Sequence, residues 1–193
     1  MQINLNHPPV LAEIQRETAA LGFTMASDAL TGSLLRTLAA CKPGGRFLEL
    51  GTGTGLATAW LLDGMDARST LLTVDHDPAL TAVARRHLGS DPRLNIETMD
   101  GIALLESIQH ERFDFIFADT WPGKYERLDL ALRIVNVGGL YIVDDMLPQP
   151  NWPPDHPSKV AHLLKSFEQL ENFRVTPLDW ATGIVVLVRT AND

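Results

Sequence analysis

The order of apolar and polar positions along the chain predicts alternating helices and strands. Apolar side chains recur at helical spacing in Pro9–Leu21 and in Ser27–Cys41, which predicts two helices at the start. Short apolar runs bounded by turn residues then predict buried strands at Phe47–Leu50, Thr70–Val74, Leu94–Met99, Phe113–Ala118, Leu140–Val143, Phe173–Pro177 and Ile184–Val188. Further helices are predicted at Ala57–Leu62, Ala79–Leu88, Ile102–Gln109, Tyr125–Val135 and Ser158–Leu170.

Strands that alternate with helices are typical of an α/β protein with a mostly parallel sheet. We therefore predict a doubly wound sheet of seven strands, in which a turn at Asp179–Gly183 makes the last two strands an antiparallel hairpin. Five prolines between Pro148 and Pro157 predict an irregular loop. No shift in composition marks a boundary, so residues 1–193 are predicted to form a single domain, with residues 1–45 supplying helices that cover a cleft.

The composition is that of a globular protein. Hydrophobic residues make up 45% of the chain, charged residues 21%, and the formal net charge is −8. Because no block of lysine or arginine is present, we expect a small-molecule substrate rather than a nucleic acid. No run has the length of a membrane span or a secretory signal, and the single cysteine suits a reducing compartment, which predicts a cytoplasmic location and no membrane partner. The first helix could also meet a second subunit, which would make a homodimer.

A glycine-rich turn follows the first predicted strand. The stretch Phe47–Gly55 reads FLELGTGTG, an apolar run with Glu49 inside it and then glycines at alternate positions. A strand, a glycine turn and a helix start can form a nucleotide pocket, because glycine lets backbone approach a ligand and the helix end offers free N–H groups. A dinucleotide fingerprint has its third glycine where this chain has Leu56. The spacing argues against an NAD-binding dehydrogenase, while an ordinary strand-to-helix turn stays an alternative.

Acidic residues follow the second and third predicted strands. Asp75 ends the second strand, where a carboxylate can accept hydrogen bonds from both hydroxyls of a ribose. Asp77 before Pro78 is a favourable helix cap, so a ligand role for Asp75 and a capping role for Asp77 are compatible. Asp100 and Gly101 follow the third strand, and Asp100 could either contact a ligand or cap the next helix.

The glycine turn, with Glu49 two residues before its first glycine, resembles motif I of the class I methyltransferases that use S-adenosylmethionine (SAM). The resemblance implies a Rossmann-like fold with SAM as cofactor. In that family the carboxylate after the second strand holds the ribose, and the polar side chain after the third strand meets the adenine amino group. The cofactor-binding residues that it implies here are Glu49, Gly51, Thr52, Gly53, Gly55, Asp75, His76, Asp100, Gly101 and Asp119.

Two later stretches narrow the resemblance. FADTWPGKY at Phe117–Tyr125 and YIVDDM at Tyr141–Met146 are similar to the metal-dependent small-molecule O-methyltransferases, which include the catechol and caffeoyl-CoA enzymes. That family holds a divalent cation such as Mg²⁺ on an aspartate after the fourth strand and an Asp-Asn pair after the fifth. By position, the metal ligands here would be Asp119, Asp144 and Asp145. The cation would bind adjacent acceptor oxygens and lower the pKa of one hydroxyl, which SAM then methylates.

The chain departs from that family at two positions. Asp145 stands where the family has an amide, which adds a negative charge. Pro122 stands where the family has a lysine that serves as general base, and Lys124 lies two residues further on. His156, in the proline-rich loop, is an alternative base because the ordinary pKa of histidine is close to neutrality. The candidate catalytic residues are therefore Asp119, Lys124 and His156.

The sequence thus predicts an enzyme that transfers a methyl group from SAM to a small acceptor, most readily to a hydroxyl, with the aid of a divalent cation. Two alternatives remain open. One is a metal-free methyltransferase that acts on another nucleophile, such as nitrogen or a carboxylate. The other is a catalytically silent protein that binds SAM without turnover.

Overall fold

The computed structural model of the chain describes residues 4–150 and 152–192. Within these ranges the helices are α1 (Leu11–Ala20), α2 (Ala29–Ala39), α3 (Leu56–Gly64), α4 (Pro78–Leu88), α5 (Gly101–Ser107), α6 (Leu128–Arg133) and α7 (His156–Phe167). The strands are β1 (Arg46–Leu50), β2 (Thr70–Asp75), β3 (Leu94–Thr98), β4 (Phe113–Ala118), β5 (Val135–Val143), β6 (Phe173–Leu178) and β7 (Ile184–Arg189).

All seven strands form one sheet in the order β3-β2-β1-β4-β5-β7-β6. Strands β1 to β5 pair in parallel, whereas β7 pairs antiparallel with both β5 and β6. The predicted α/β fold, a doubly wound seven-stranded sheet with a C-terminal antiparallel hairpin, is confirmed. The strand order reverses between β1 and β4, since β2 and β3 lie on one side and β5 on the other. Ligands of doubly wound sheets bind at such a reversal, outside the carboxyl ends of the strands.

Helices cover both faces of the sheet, which explains why the central strands are apolar throughout. Successive side chains of a strand point to opposite faces. Phe47 and Phe115 stack on one face, with ring centroids 5.1 Å apart, and pack with residues of α2 and α3. Leu48 and Ile116 point to the other face and pack with residues of α5 and α7. Burial of this apolar surface on both sides is the main force that stabilises the sheet.

Aspartate side chains cap the N-termini of three of the helices. Asp28 accepts hydrogen bonds from the backbone N–H groups of Leu30 and Thr31 in α2. Asp77 accepts one from that of Ala79 in α4, and Asp100 one from that of Ala103 in α5. Each carboxylate satisfies a donor that a helix leaves unpaired and adds negative charge at the positive end of its dipole. The capping role predicted for Asp77 is confirmed.

The prediction was wrong around the sixth helix. The helix expected over Tyr125–Val135 is confined to Leu128–Arg133, and β5 already begins at Val135. The two glycines expected to separate helix and strand, Gly138 and Gly139, lie within β5, where the pairing with β4 shifts in register. Gly138 has a φ of +79°, so the glycines allow an irregularity in the strand instead of ending a helix.

The N-terminal helices pack on the helices of the sheet. Helix α2 lies against α3, and α1 contacts both α3 and α4. In the described ranges we find no helix whose length and apolar character would let it span a membrane. A single domain over residues 1–193 stays a prediction.

Candidate functional site

The carboxyl ends of β1 and β4 meet at the reversal of the sheet. The backbone N–H of Asp119, just after β4, donates to the carbonyl of Leu50 at 2.9 Å, which joins the two strand ends. The glycine turn begins directly after β1, Asp75 ends β2 and Asp144 follows β5. The structure therefore brings the predicted strand-end residues to one edge of the sheet.

Glycines fix the shape of the turn between β1 and α3. Gly51, Gly53 and Gly55 have φ values of +103°, +52° and +94°, in the region that favours glycine. A Cβ on Gly51 would lie 2.9 Å from the backbone oxygen of Asp119, and a Cβ on Gly55 would lie 3.0 Å from α4 side chains. A Cβ on Gly53 would meet the ring of Phe23 at 3.3 Å. The turn thus holds one backbone shape at the start of a helix, as a nucleotide-binding turn requires.

Asp75 ties this turn to the second strand. Its Oδ2 accepts the backbone N–H of Gly53 at 2.8 Å, and its Oδ1 accepts that of Asp77 at 3.0 Å. Each carboxylate oxygen has two lone pairs, so Asp75 can still accept hydrogen bonds from ribose hydroxyls. His76, whose side chain is 84% exposed, lies beside it with Nδ1 3.5 Å from the Asp75 Oδ1. Asp75 and His76 therefore lie side by side, and their contact with a cofactor stays a prediction.

Glu49 lies inside the fold, and its contact with a cofactor stays a prediction. It is fully buried, and its Oε2 accepts hydrogen bonds from the hydroxyls of Thr58 and Thr73 at 2.5 and 2.6 Å. Thr73 also meets the hydroxyl of Thr52, at 2.7 Å, so Glu49 and Thr52 support the glycine turn from within the fold. Burial raises the pKa of Glu49 to about 7, against the two threonine hydrogen bonds that lower it. The Oε1 has no hydrogen-bond partner among the described residues.

The loops after β3 and β4 form another wall of the crevice. Asp100 caps α5 through the N–H of Ala103, at 2.9 Å. A Cβ on Gly101 would lie 2.9 Å from the Cβ of Pro122, so the two loops touch. One cap hydrogen bond leaves lone pairs of Asp100 free, and its contact with adenine stays a prediction.

The segment between α1 and α2, residues 21–28, crosses the crevice. Phe23 lies against Gly53, and the Ser27 hydroxyl donates to Oδ2 of Asp119 at 2.8 Å. The segment therefore spans from the end of β1 to the end of β4. Sequence analysis missed both residues, because a phenylalanine and a serine in an irregular stretch form no pattern that points to a site.

Three charged residues lie together at the ends of β4 and β5, and we call Asp119, Asp144 and Lys124 the charged cluster. Asp144 is 1% exposed and Lys124 is 4% exposed. The Lys124 Nζ donates to the backbone carbonyl of Asp144 at 2.6 Å. The Oδ1 of Asp144 accepts the backbone N–H of Asp145 at 2.8 Å and the hydroxyl of Thr182. The β6–β7 hairpin thus contributes a residue that sequence analysis did not single out.

In the charged cluster, the carboxyl groups of Asp119 and Asp144 lie near a single positive charge, that of Lys124. Burial and the neighbouring charge of Asp144 raise the pKa of Asp119, while Lys124 and the Ser27 hydroxyl oppose that shift. Burial also raises the pKa of Asp144, against the hydrogen bond from Thr182. Asp145 adds negative charge to both. A proton-donating group of a ligand, such as a hydroxyl, would therefore be favoured here.

The predicted three-carboxylate metal site is not assembled. Nowhere in residues 4–150 and 152–192 do three or more histidine, cysteine, aspartate or glutamate side chains group in a way that could hold a metal ion. Asp145, which follows Asp144 after β5, adopts a left-handed backbone conformation with φ +58°, and Lys124 supplies the positive charge beside Asp119 and Asp144. Asp119, Asp144 and Asp145 do not form such a group as they are arranged here, and their role as metal ligands stays a prediction.

His156 lies at the start of α7 and not in an irregular loop as expected. It is 7% exposed, and its Nε2 lies 3.0 Å from the hydroxyl of Tyr125. The ring of Trp152 lies 4.4 Å from its ring. Burial, with the charge of Lys124, lowers the pKa of His156 and so favours the neutral form of the ring. A neutral, fixed imidazole suits a general base.

A cavity of about 520 Å³ adjoins the charged cluster. Its wall includes Trp121, Lys124 and Tyr125 on one side and Lys159 and Leu163 of α7 on the other. Lys159 Nζ lies 3.8 Å from the centre of the Trp121 ring. The volume is that of a small-molecule site, and Lys124 connects it with the cluster.

Comparison with known proteins finds a matching family model and similar proteins. A family model described as a methyltransferase domain matches residues 48–146, which include the glycine turn and the charged cluster. A catechol O-methyltransferase of Niastella koreensis is 31% identical over 123 residues, 60% of this chain and 56% of that protein. A catechol O-methyltransferase of Mycobacterium tuberculosis is 26% identical over 144 residues, 72% of this chain and 66% of that protein. The chain thus spans between about half and two thirds of the length of these relatives.

The fold also matches solved structures. An O-methyltransferase of Bacillus cereus, solved in complex with SAH, superposes with a TM-score of 0.82. The match covers 94% of this chain and 90% of that chain at 20% identity. At this identity the likeness concerns the fold.

Proposed function

Because the chain belongs to the methyltransferase domain family, we propose that it transfers the methyl group of SAM to a hydroxyl of a small molecule. The observation that carries the proposal is the glycine turn with Asp75 bonded to Gly53, at the reversal of the sheet and beside the charged cluster. This arrangement suits a nucleoside on one side and a reacting group on the other. The resemblance to catechol O-methyltransferases supports oxygen as the acceptor atom.

In this proposal SAM lies across the glycine turn. Asp75 accepts hydrogen bonds from its ribose, with His76 beside it, and Asp100 and Gly101 border its adenine. The turn formed by Gly51, Thr52, Gly53 and Gly55 carries the methionine part towards Asp119. The protein contributes mainly position and electrostatics, since the sulfonium is already a reactive methyl donor.

The acceptor enters through the cavity beside α7 and places its hydroxyl at the charged cluster. A base takes the hydroxyl proton, for which His156 is the candidate, and the oxygen then attacks the methyl carbon. The carbon–sulfur bond breaks, its electron pair stays on sulfur, and S-adenosylhomocysteine leaves as a neutral thioether. Asp119, the member of the charged cluster that borders the glycine turn, orients donor and acceptor. A cytoplasmic location and a homodimer stay predictions from the sequence.

The proposal predicts that Asp119→Asn lowers turnover far more than cofactor affinity. The substitution can keep the hydrogen bond with Ser27 but removes the carboxyl group that, in this proposal, orients the donor and the acceptor. With SAM carrying a trideuterated methyl group and catechol as the acceptor, mass spectrometry should detect the labelled methyl ether from the wild type. The variant should lose about tenfold or more in rate, while calorimetry shows S-adenosylhomocysteine affinity within about threefold.

Ser27→Ala is the matched control, because it removes only the hydroxyl that bonds to Asp119. It should lose less turnover than Asp119→Asn. Equal losses of rate and cofactor affinity in Asp119→Asn would assign Asp119 to cofactor binding alone. Cofactor binding without labelled product from any phenol or alcohol would favour the silent SAM-binding alternative.

A further inference from the structure

Lys124 occupies an unusual place for a lysine. Its side chain is 4% exposed, whereas lysine is almost never buried without a charged or polar partner. The ammonium has three donors, and in the described part of the chain it makes one hydrogen bond, to the Asp144 carbonyl, and no direct ion pair with a carboxylate. The Nζ also lies 5.3 Å from the centre of the Tyr125 ring, so the hydrogen bond and the ring contact together leave at least one N–H donor for a ligand atom.

A tight turn aims this lysine at the cluster. Gly123, with φ +84°, receives the Tyr141 hydroxyl on its carbonyl and donates its N–H to the carbonyl of Glu126 at 2.7 Å. A Cβ on Gly123 would lie 2.5 Å from Leu50, so the turn is packed directly on the end of β1. The turn at Pro122 and Gly123 thus places the Lys124 side chain at the end of β5. This explains how Lys124 reaches the site although it lies two residues after the position of the lysine in the similar family.

Lys124 puts a fixed positive charge beside the carboxyl groups that would hold a metal. Its Nζ lies 2.6 Å from the backbone oxygen of Asp144, and its charge acts on the carboxyl groups of both Asp119 and Asp144. A divalent cation would have to enter beside this ammonium, which opposes it by direct repulsion in a buried, poorly screened site.

We propose that Lys124 is the resident cation of this site: its ammonium binds the acceptor oxygen and stabilises the negative charge on that oxygen during methyl transfer, so that no divalent cation is required. The inference rests on the proposed function, since it assigns a role within the same reaction. The acceptor hydroxyl loses its proton to a base, the oxyanion is held by N–H donors of Lys124, and the oxygen–carbon bond forms as the carbon–sulfur bond breaks. Lys124 keeps its own protons throughout.

Binding of Mn²⁺, followed by electron paramagnetic resonance, tests the inference without relying on activity. Protein saturated with S-adenosylhomocysteine should show no tight Mn²⁺ site in the wild type. Lys124→Met, which removes the charge and keeps the length of the side chain, should bind Mn²⁺ about tenfold or more tightly than the wild type. Lys159→Met is the matched control: it removes a lysine from the cavity wall outside the cluster, and should bind Mn²⁺ as the wild type does.

Turnover supplies the second arm. Methylation of catechol by the wild type should be unchanged by a chelator, and Lys124→Met should lose about a hundredfold or more in rate at nearly unchanged cofactor affinity. A tight Mn²⁺ site in the wild type, or a loss of its turnover on chelation, would overturn the inference. Both wild-type results stand even if Lys124→Met fails to fold.

The two proposals can fail separately. Methyl transfer that appears only after a metal is added would refute the role of Lys124 and leave the proposed function intact. Absence of transfer to any phenol or alcohol, with and without metal, would refute the proposed function. The Mn²⁺ titration would still decide whether Lys124 excludes a cation.

Discussion

Glu49 shows how burial changes the chemistry of a motif residue. The carboxyl group is fully buried, two threonine hydroxyls donate to one of its oxygens, and the other oxygen has no partner in the described part of the chain. Loss of solvation raises its pKa from 4.5 to about 7. The native state therefore keeps a proton here that the unfolded chain releases at lower pH.

This shift predicts a pH dependence of stability. Between pH 4.5 and about 7 the folded state binds more protons at Glu49 than the unfolded state, so its contribution to the free energy of unfolding falls as the pH rises. The whole shift corresponds to a loss of roughly 3 kcal/mol in the free energy of unfolding. Glu49→Gln should not show this loss, because the amide does not ionise. Denaturant unfolding of the variant and the wild type at several pH values measures the difference.

The stability of Glu49→Gln relative to the wild type should therefore increase from pH 5 towards pH 8. Glu171→Gln, an exposed glutamate, is the control and should follow the wild type at every pH. A difference between Glu49→Gln and the wild type that does not change with pH would contradict the raised pKa.

The sequence predicts the role of a single residue where that role depends on its neighbours in the chain. Asp77 before Pro78 identified a cap, and Asp75 at the end of β2 was correctly placed at the crevice, because strand ends and helix starts follow from local patterns. Three hydrogen bonds of the site join residues far apart in sequence: Lys124 to the Asp144 carbonyl, Ser27 to Asp119, and Thr182 to Asp144. No local rule predicts such contacts.

Helices α2 and α3 pack closely through two glycines. A Cβ on Gly32 of α2 would lie 2.2 Å from Cδ1 of Trp60 in α3, and a Cβ on Gly64 would lie 2.2 Å from the backbone oxygen of Arg36 in α2. Trp60 is 2% exposed and cannot move without disturbing the core. The closeness of α2 and α3 therefore depends on these residues, and α3 begins at the glycine turn.

Gly32→Ala should destabilise the protein, against the usual helix preference. Alanine in a helix gains about 0.5–1 kcal/mol over glycine, whereas an extra methyl group in a packed core costs about 1–3 kcal/mol. With a separation of 2.2 Å the clash should dominate. Thermal unfolding should show a lower Tm, and Thr37→Ala, at an exposed position of α2, should remain close to the wild type. A Tm at or above the wild-type value would show that Trp60 can yield.

Most elements could be predicted, since long apolar patterns set them. The exception was the stretch Tyr125–Val143, in which α6 is short and β5 begins early. Gly138 and Gly139 signal a break in any pattern, and only the pairing of β5 with β4 decides between a helix end and an irregular strand. Tertiary contacts, not propensity, settled that choice.

For the whole molecule, the order of the strands explains the site. The reversal between β1 and β4 places the glycine turn and Asp119 next to each other, and β5 adds Asp144 on one side. Alternating strands and helices predicted a doubly wound sheet, and that prediction is confirmed. The sequence could not show how residues 21–28 cross the crevice, because that depends on where two N-terminal helices dock.

The measurement that tests the central claim most directly is a calorimetric titration of SAM into the wild type and Asp75→Ala, with NAD as the comparison ligand. SAM should bind the wild type, NAD should not, and Asp75→Ala should weaken SAM binding about tenfold or more through loss of charge-assisted hydrogen bonds. Asp77→Ala, which removes a neighbouring carboxylate that caps α4, should keep SAM affinity within about threefold. Binding of NAD in preference to SAM, or unchanged SAM affinity in Asp75→Ala, would contradict the account.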